Sequence, residues 1–151
     1  IQGSNFSGWY NSTEGTIATT ADNYAPSSTG YNRVFQIDDN TSNNSIAVMK
    51  NNGTSSQFFG YVSAGGAGQA TLYTTTVTAN VFFKTALAYK ANDFAFSFNG
   101  ATPSTDTSGT VPTVTQMYLG NGGSTLLNGH IKSLAYYPRR LTNAELQAVT
   151  A

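Results

Sequence analysis

Along much of this chain the side chains change character at every second residue, the period of a strand with one buried face. Over residues 81–90, Val81, Phe83, Thr85, Leu87 and Tyr89 fall on one side, with Phe82, Lys84, Ala86, Ala88 and Lys90 on the other. After the polar turn Lys90-Ala91-Asn92-Asp93, the residues Phe94, Phe96 and Phe98 share a face, while Ala95, Ser97 and Asn99 point away. This predicts a hairpin whose heavy side faces a core. Further runs rich in Val, Ile, Thr, Tyr and Phe predict strands at Thr16–Ala21, Tyr31–Ile37, Ser45–Lys50, Gln57–Ser63 and Gln69–Thr75. Together with Val81–Lys90 and Asp93–Phe98, the runs Gln116–Leu119 and Gly129–Tyr137 complete the set. Gly, Asn, Ser and Asp punctuate them, and Asn99-Gly100 opens a polar loop that runs to Pro112. Many short strands between turn signals point to an all-β, two-sheet antiparallel sandwich.

The C-terminus breaks the period. In Leu141-Thr142-Asn143-Ala144-Glu145-Leu146, Thr142 is placed to cap a helix and Glu145 to reach back to it, with Leu141 and Leu146 as a hydrophobic staple. One short helix, Asn143 to Val149, is expected. So short a helix is marginal alone and needs to dock on the sandwich through Leu146 and Val149.

The 151 residues suit one domain, and the chain, which starts without Met, reads as a fragment of a larger protein. Charged residues make up only 9%, against roughly 25% in an ordinary soluble domain. Seven basic and seven acidic residues cancel, so no basic patch exists to capture nucleic acid. No apolar run approaches the ~20 residues of a membrane helix. Zero cysteine removes disulfides, a thiolate nucleophile and Cys-ligated zinc together. Thr, Ser, Asn and Gln carry the polarity instead. Beside 13% aromatics, such amide and hydroxyl groups suit neutral ligands such as sugars, although on composition alone a plain β-rich surface adapted to the outside of a cell or particle weighs more. The sequons at Asn5, Asn11, Asn40, Asn43 and Asn52 are expected by chance in a chain of this composition.

The tail from Leu127 to Leu146 contains Gly129-His130-Ile131, an apolar strand, Tyr136-Tyr137-Pro138-Arg139-Arg140-Leu141 and then the capped helix. It resembles the closing signature of concanavalin A-like (laminin-G-like) jelly rolls. With Tyr89-Lys90-Ala91-Asn92-Asp93-Phe94 it is most similar to variants on bacteriophage tail or other virion proteins, and Trp9-Tyr10-Asn11 before Glu14-Gly15-Thr16 resembles the opening strand. The resemblance implies one laminin-G-like domain over residues 1–151, with two curved sheets, a concave face and rim loops where sugars and, in many members, Ca²⁺ bind. Ile131, Leu134 and Tyr136 share a face only if the last strand slips phase, so a β-bulge is expected near Lys132-Ser133.

Fold alone does not assign function. Glycoside hydrolysis needs two converging carboxyl groups. Glucanases of this fold cluster theirs as Glu-x-Asp-x-Glu on one strand, whereas the Glu residues here are Glu14, by a turn, and Glu145, in a helix cap. Asp38 and Asp39 are adjacent and would point to opposite faces. His130 is the single histidine, and no Gly-x-Ser-x-Gly elbow accompanies it. It alternates with Ile131 and reads as a solvated side chain or a sugar-hydroxyl contact. Gly65-Gly66-Ala67-Gly68 lacks the Lys-Ser/Thr of a phosphate cradle and reads as a tight turn.

Residues 37–44, Ile-Asp-Asp-Asn-Thr-Ser-Asn-Asn, are rich in the hard oxygens that Ca²⁺ takes. Asp38 and Asp39 are therefore candidate Ca²⁺ ligands, with Asp106 able to add one. Asx residues favour ordinary turns as well, and that reading weighs more. For a glycan, Tyr31, Arg33, Asp38 and Asp39 are the candidate rim, following the polar loop Ala25–Gly30 between Tyr24 and Tyr31. Phe35 and Ile37 share the phase of Arg33 and could draw it to the core edge. His130 and Trp9 are further candidates, Trp9 with a competing role as a core plug. Arg139 and Arg140 are expected to fix the corner before the helix.

The expected function is a non-catalytic, lectin-like module that binds polysaccharide or surface glycan, displayed extracellularly on a virion and in contact with other virion subunits. Neither nucleic acid nor membrane insertion is expected. The alternatives are a structural or decoration domain of a virion and a glycoside hydrolase.

Overall fold

The alternation read from residues 83–98 folds as a hairpin of β6 (Phe83–Lys90) and β7 (Phe94–Phe98), shown in a computed structural model that describes residues 1–24, 30–51, 56–122 and 126–151. Asn92 takes φ 59° at the turn, and the Asp93 amide donates to the Lys90 carbonyl at 2.9 Å. Phe83, Leu87, Tyr89, Phe94, Phe96 and Phe98 enter the main core, while Ala86, Ala88 and Ala95 face the other way. The strand begins at Phe83 rather than Val81. Its neighbour β1 (Glu14–Ala21) ends opposite Phe83, so Val81 and Phe82 have no β1 partner and are about half exposed.

The remaining strands are β2 (Arg33–Asp38), β3 (Ser45–Lys50), β4 (Gln57–Ala64), β5 (Ala67–Thr76), β8 (Ser104–Asp106), β9 (Gln116–Leu119) and β10 (Ile131–Tyr137). Among the described residues they form two five-stranded antiparallel sheets, β10-β1-β6-β7-β8 and β5-β4-β3-β2-β9. Ile17, Val34, Phe35, Ile37, Ile46, Val48, Phe58 and Val62 fill the space between the sheets together with the hairpin phenylalanines. The all-β sandwich is as expected.

Two elements carry no apolar period and escape the sequence pattern. The edge strand β8 lies inside the expected loop to Pro112 and pairs Ser104, Thr105 and Asp106 with Phe96, Ala95 and Phe94. A single helical turn, α1 (Ser4–Ser7), buries Phe6. In β10, Ser133 sits opposite Thr20 but Ile131 opposite Ala21, so Lys132 is the extra residue of the anticipated bulge. Ile131, Leu134 and Tyr136 all reach the core.

Helix α2 (Asn143–Thr150) forms with the full capping box at Thr142 and Glu145. It lies on the outer face of the β6–β7 hairpin. Leu141, Leu146 and Val149 pack over Ala86, Ala88 and Ala95, and Ser97 meets the Thr150 hydroxyl at 2.9 Å. Arg139 grips Glu145 through two bonds of 3.0 and 2.9 Å, and Arg140 pairs with Asp93 at 2.8 Å, which fixes the corner.

Candidate functional site

The outward face of the β5-β4-β3-β2-β9 sheet follows from the same period of two. Phe58 and Val62 of β4 point inward, so Phe59 and Tyr61 point out. Tyr73 of β5 stands beside Phe59 with ring centroids 5.3 Å apart, and Tyr31 approaches Phe59 edge-on at 6.4 Å. The central strand β3 presents only Ser45, Ala47 and Met49 on this side. Low side chains between taller neighbours leave an open groove of about 750 Å³. One end is aromatic, with Tyr31, Phe59, Tyr61 and Tyr73; the other is polar, with Gln36, Asp38, Asn40 and Tyr118.

Arg33 reaches this face through a register slip. Arg33 pairs with Met49 and Phe35 with Val48, so Val34 is an extra, fully buried residue. The bulge changes phase: Phe35 and Ile37 go into the core while Arg33, Gln36 and Asp38 line the groove. The Arg33 guanidinium donates to the Tyr31 carbonyl at 3.1 Å, and its stem packs against Gly122, where a β-carbon would overlap it. Partial burial lowers the Arg33 pKa from its usual value, and the charge of Asp38 opposes that shift.

Asp38 is buried and engaged on both oxygens. Oδ1 accepts from the Asn40 amide at 2.9 Å and from Gln116 Nε2 at 2.7 Å, while Oδ2 accepts from Gln36 Nε2 at 2.5 Å. Asp39 points away to close its own turn, accepting from the Thr41 amide at 3.0 Å and from Asn44 Nδ2 at 2.8 Å. The Thr41 hydroxyl first, and then the Asn44 amide and the Thr41 backbone N–H, hold the Asp39 carboxyl below the usual carboxylate pKa. A calcium ion takes about six to eight oxygen ligands. Here N–H and O–H donors already face the two carboxylates, which diverge, and Asp106 closes a separate turn through Ser108. Among the described residues no three acidic, His or Cys side chains converge. The Asp38–Asp39 loop does not fit Ca²⁺; the turn reading describes it.

The other candidates lie elsewhere. Trp9 is half-buried against Phe6 and Tyr136, at 5.1 and 4.8 Å, and its indole donates to the Asn5 carbonyl at 2.8 Å. It plugs the end of the core and does not line the groove. His130 precedes β10, in the opposite sheet, and therefore cannot reach the groove. Its Nδ1 lies 3.2 Å from Asp22 Oδ2, and the Tyr24 ring meets it edge-on at 5.0 Å. The loop after Tyr24, residues 25–29, and the sequon at 52 lie outside the described residues.

Phe59, Met49, Gln36 and Gln116 were not singled out by sequence pattern. The signal for Phe59 was present: Phe59 and Tyr61 alternate against Phe58 and Val62, so a strand buried through the latter must present two rings outward. Nothing in the sequence brings Gln116 beside Asp38, 78 residues away.

Asp38 is the one carboxylate among the described residues that line the groove. The site can stack on an apolar ring face and exchange hydrogen bonds with hydroxyls, and among the described residues no second carboxyl group faces Asp38 across the groove.

No protein-family model matches the sequence, and no curated protein sequence matches it. Solved structures do match in fold. The CBM40 module of the Ruminococcus gnavus IT-sialidase, bound to α2,3-sialyllactose, superposes with a TM-score of 0.74 at 16% identity, over 93% of this chain and 84% of that one. Domain 4 of AbnA, a GH43 extracellular arabinanase from Geobacillus stearothermophilus in complex with arabinotriose, gives 0.72 at 13%, over 95% and 69%. A native heptameric SAP-like pentraxin from Limulus polyphemus gives 0.68 at 12%, over 91% and 70%. The fold is the concanavalin A-like, laminin-G-like jelly roll anticipated from the tail.

Proposed function

We propose that this domain is a carbohydrate-binding module that holds a glycan in the open groove of the β5–β9 sheet without cleaving it. The observation that carries the reading is the juxtaposition, on one uncovered face, of aromatic rings at one end with amide, hydroxyl and carboxylate groups at the other. A pyranose or furanose has C–H faces that pack on rings and hydroxyls that need planar hydrogen-bonding partners, so both ends of the groove have work to do. Its size falls within the roughly 300–1,000 Å³ of small-ligand sites. Two solved structures of the same fold hold a bound oligosaccharide, sialyllactose in one and arabinotriose in the other, which supports the same reading.

The test is calorimetric titration of the domain with a panel of oligosaccharides, beside Tyr31→Ala and Tyr73→Ala. Binding that both substitutions weaken supports the groove. Binding untouched by either, or no binding to any glycan, ends the proposal.

The setting belongs to the proposal too. The likeness of the Tyr136–Leu146 stretch to virion domains supports display on a bacteriophage tail or other virion surface, facing host-cell glycans, with weak sites made effective by multivalency. A fluorescent, oligomerised form of the domain should then decorate bacterial cells and be displaced by soluble surface polysaccharide. Failure to decorate any strain removes the setting while leaving the groove's chemistry standing.

A further inference from the structure

The trough of the groove runs along β3, whose outward residues Ser45, Ala47 and Met49 are lower than those on either side. Phe59 and Tyr61 of β4 pair with Met49 and Ala47 and form one wall. Arg33 and Gln36 of β2 pair with the same two residues and form the other. From Ser45 to Met49 the floor covers four residue steps, about 14 Å of extended strand.

Its two ends differ. Tyr31 stands two positions ahead of Arg33, and the Lys50 amide donates to the Asn32 carbonyl at 2.7 Å, so pairing with β3 carries on past the start of β2. Asn32 is buried, which turns Tyr31 to the groove side like Arg33. The Tyr31 ring nevertheless meets Phe59, on the opposite wall, edge-on at 6.4 Å. Two strand spacings, about 9.5 Å, separate β2 from β4, so the meeting rings lie over β3 and cross the trough at its Met49 end. Met49 and Phe59 face outward yet are each only 5% exposed, as a covered end requires. The Arg33 guanidinium donates to the Tyr31 carbonyl and braces the backbone that carries the ring. The ring itself stays 42% exposed, which leaves a face for a sugar. At the Ser45 end the lining is Asn40, Thr41 and Ser42, short polar side chains that are exposed.

A glycan bound through its interior continues in both directions and needs a trough that is passable at both ends. This trough stops against a ring at one end and runs out between short side chains at the other. We infer that the groove takes the terminal units of a glycan chain and not an interior stretch, with Tyr31 as the stop against which the last sugar packs. The inference rests on the groove being a glycan site and adds which part of the glycan it holds.

The experiment counts binding sites per gram of polysaccharide by titration calorimetry. Linear arabinan, xylan, dextran and a bacterial O-polysaccharide are screened intact and as fragments from partial acid hydrolysis, and the best binder is carried forward with wild type, Tyr31→Phe and Tyr31→Ala. Hydrolysis that doubles the chain ends at constant mass should double the sites for wild type and Tyr31→Phe, with the affinity per site unchanged. Tyr31→Ala opens the blind end. Its sites on intact chains should exceed the number of ends and ignore cleavage, while its affinity for short fragments falls by about tenfold, the scale of one lost aromatic contact. Wild-type sites that outnumber the ends and ignore cleavage overturn the inference and leave the glycan site standing. End-counting that persists in Tyr31→Ala overturns the role of Tyr31 as the stop. No binding to any polysaccharide or fragment overturns the inference and the functional reading together. The wild-type count stands even if Tyr31→Ala does not fold.

Discussion

Both sheets present an outward face built from every second strand position, yet helix α2 roofs one and the other lies open. On the roofed face the positions are small: Ala86, Ala88 and Ala95 let the helix approach closely, and Leu141 and Leu146 fill the seam. On the open face they are large at the sides and low in the middle, with Phe59 and Tyr61 on β4 and Ser45 and Ala47 on β3. Small residues make a seat that another element of the same chain can cover. Rings flanking a dip leave a concavity that a helix would fit poorly, so this apolar surface stays available to a ligand. The roofed face therefore carries stability, and the open face carries the proposed recognition.

Leu146→Ala should break the comparison on the roofed side with the largest effect. Leu146 of α2 is fully buried against Ala86, Ala88 and Ala95, and truncating such a leucine costs about 2–5 kcal/mol. Urea denaturation should show that loss, while the folded fraction binds glycan with unchanged affinity. Tyr73→Ala should do the reverse. The ring is 51% exposed, so stability should move by no more than about 0.5 kcal/mol. Glycan affinity should fall by about tenfold, the scale of a lost aromatic contact of about 1–1.5 kcal/mol.

Gly122→Ala sharpens the open side. A β-carbon there overlaps the Arg33 stem, so the guanidinium must swing off its place at the groove. A several-fold change in glycan affinity, with a thermal midpoint close to wild type, is the expected outcome.

Acid should act on the roofed side with the smallest effect. The Arg139 bond, followed by the Thr142 amide and hydroxyl, depresses the Glu145 pKa from 4.5 to about 2. Because the folded value lies below the unfolded one, the stabilisation is complete above about pH 4.5 and fades as pH falls toward about 2. The pair is exposed, so salt should blunt the effect. Thermal midpoints followed over that range should decline more steeply for wild type than for Glu145→Gln.

Local pattern made the β6–β7 hairpin, the capped helix and its two docking residues legible, since each rests on neighbours within about ten positions. The Lys132 bulge was legible too, because three apolar residues out of phase required it. The Val34 bulge was not. Tyr31, Arg33, Phe35 and Ile37 keep perfect alternation on paper, and the slip arises only where β2 takes its register from β3. That slip sends Arg33 into the groove while Phe35 and Ile37 stay in the core. Trp9 was ambiguous for a similar reason: the sequence shows a large aromatic near a strand, and contact with Phe6 and Tyr136 decides that it is a plug.

The order of apolar and polar residues by itself determined that this chain builds strands with one heavy side, stacks them in two layers and ends in a capped helix, because those choices are made by steric period and local hydrogen bonds. Which outer face the helix covers, which side of β2 carries Arg33, and that Gln116 lies beside Asp38 were decided by the tertiary structure. Those are relations between strands far apart in the chain, and they exist only once the sheets have set their register and curvature.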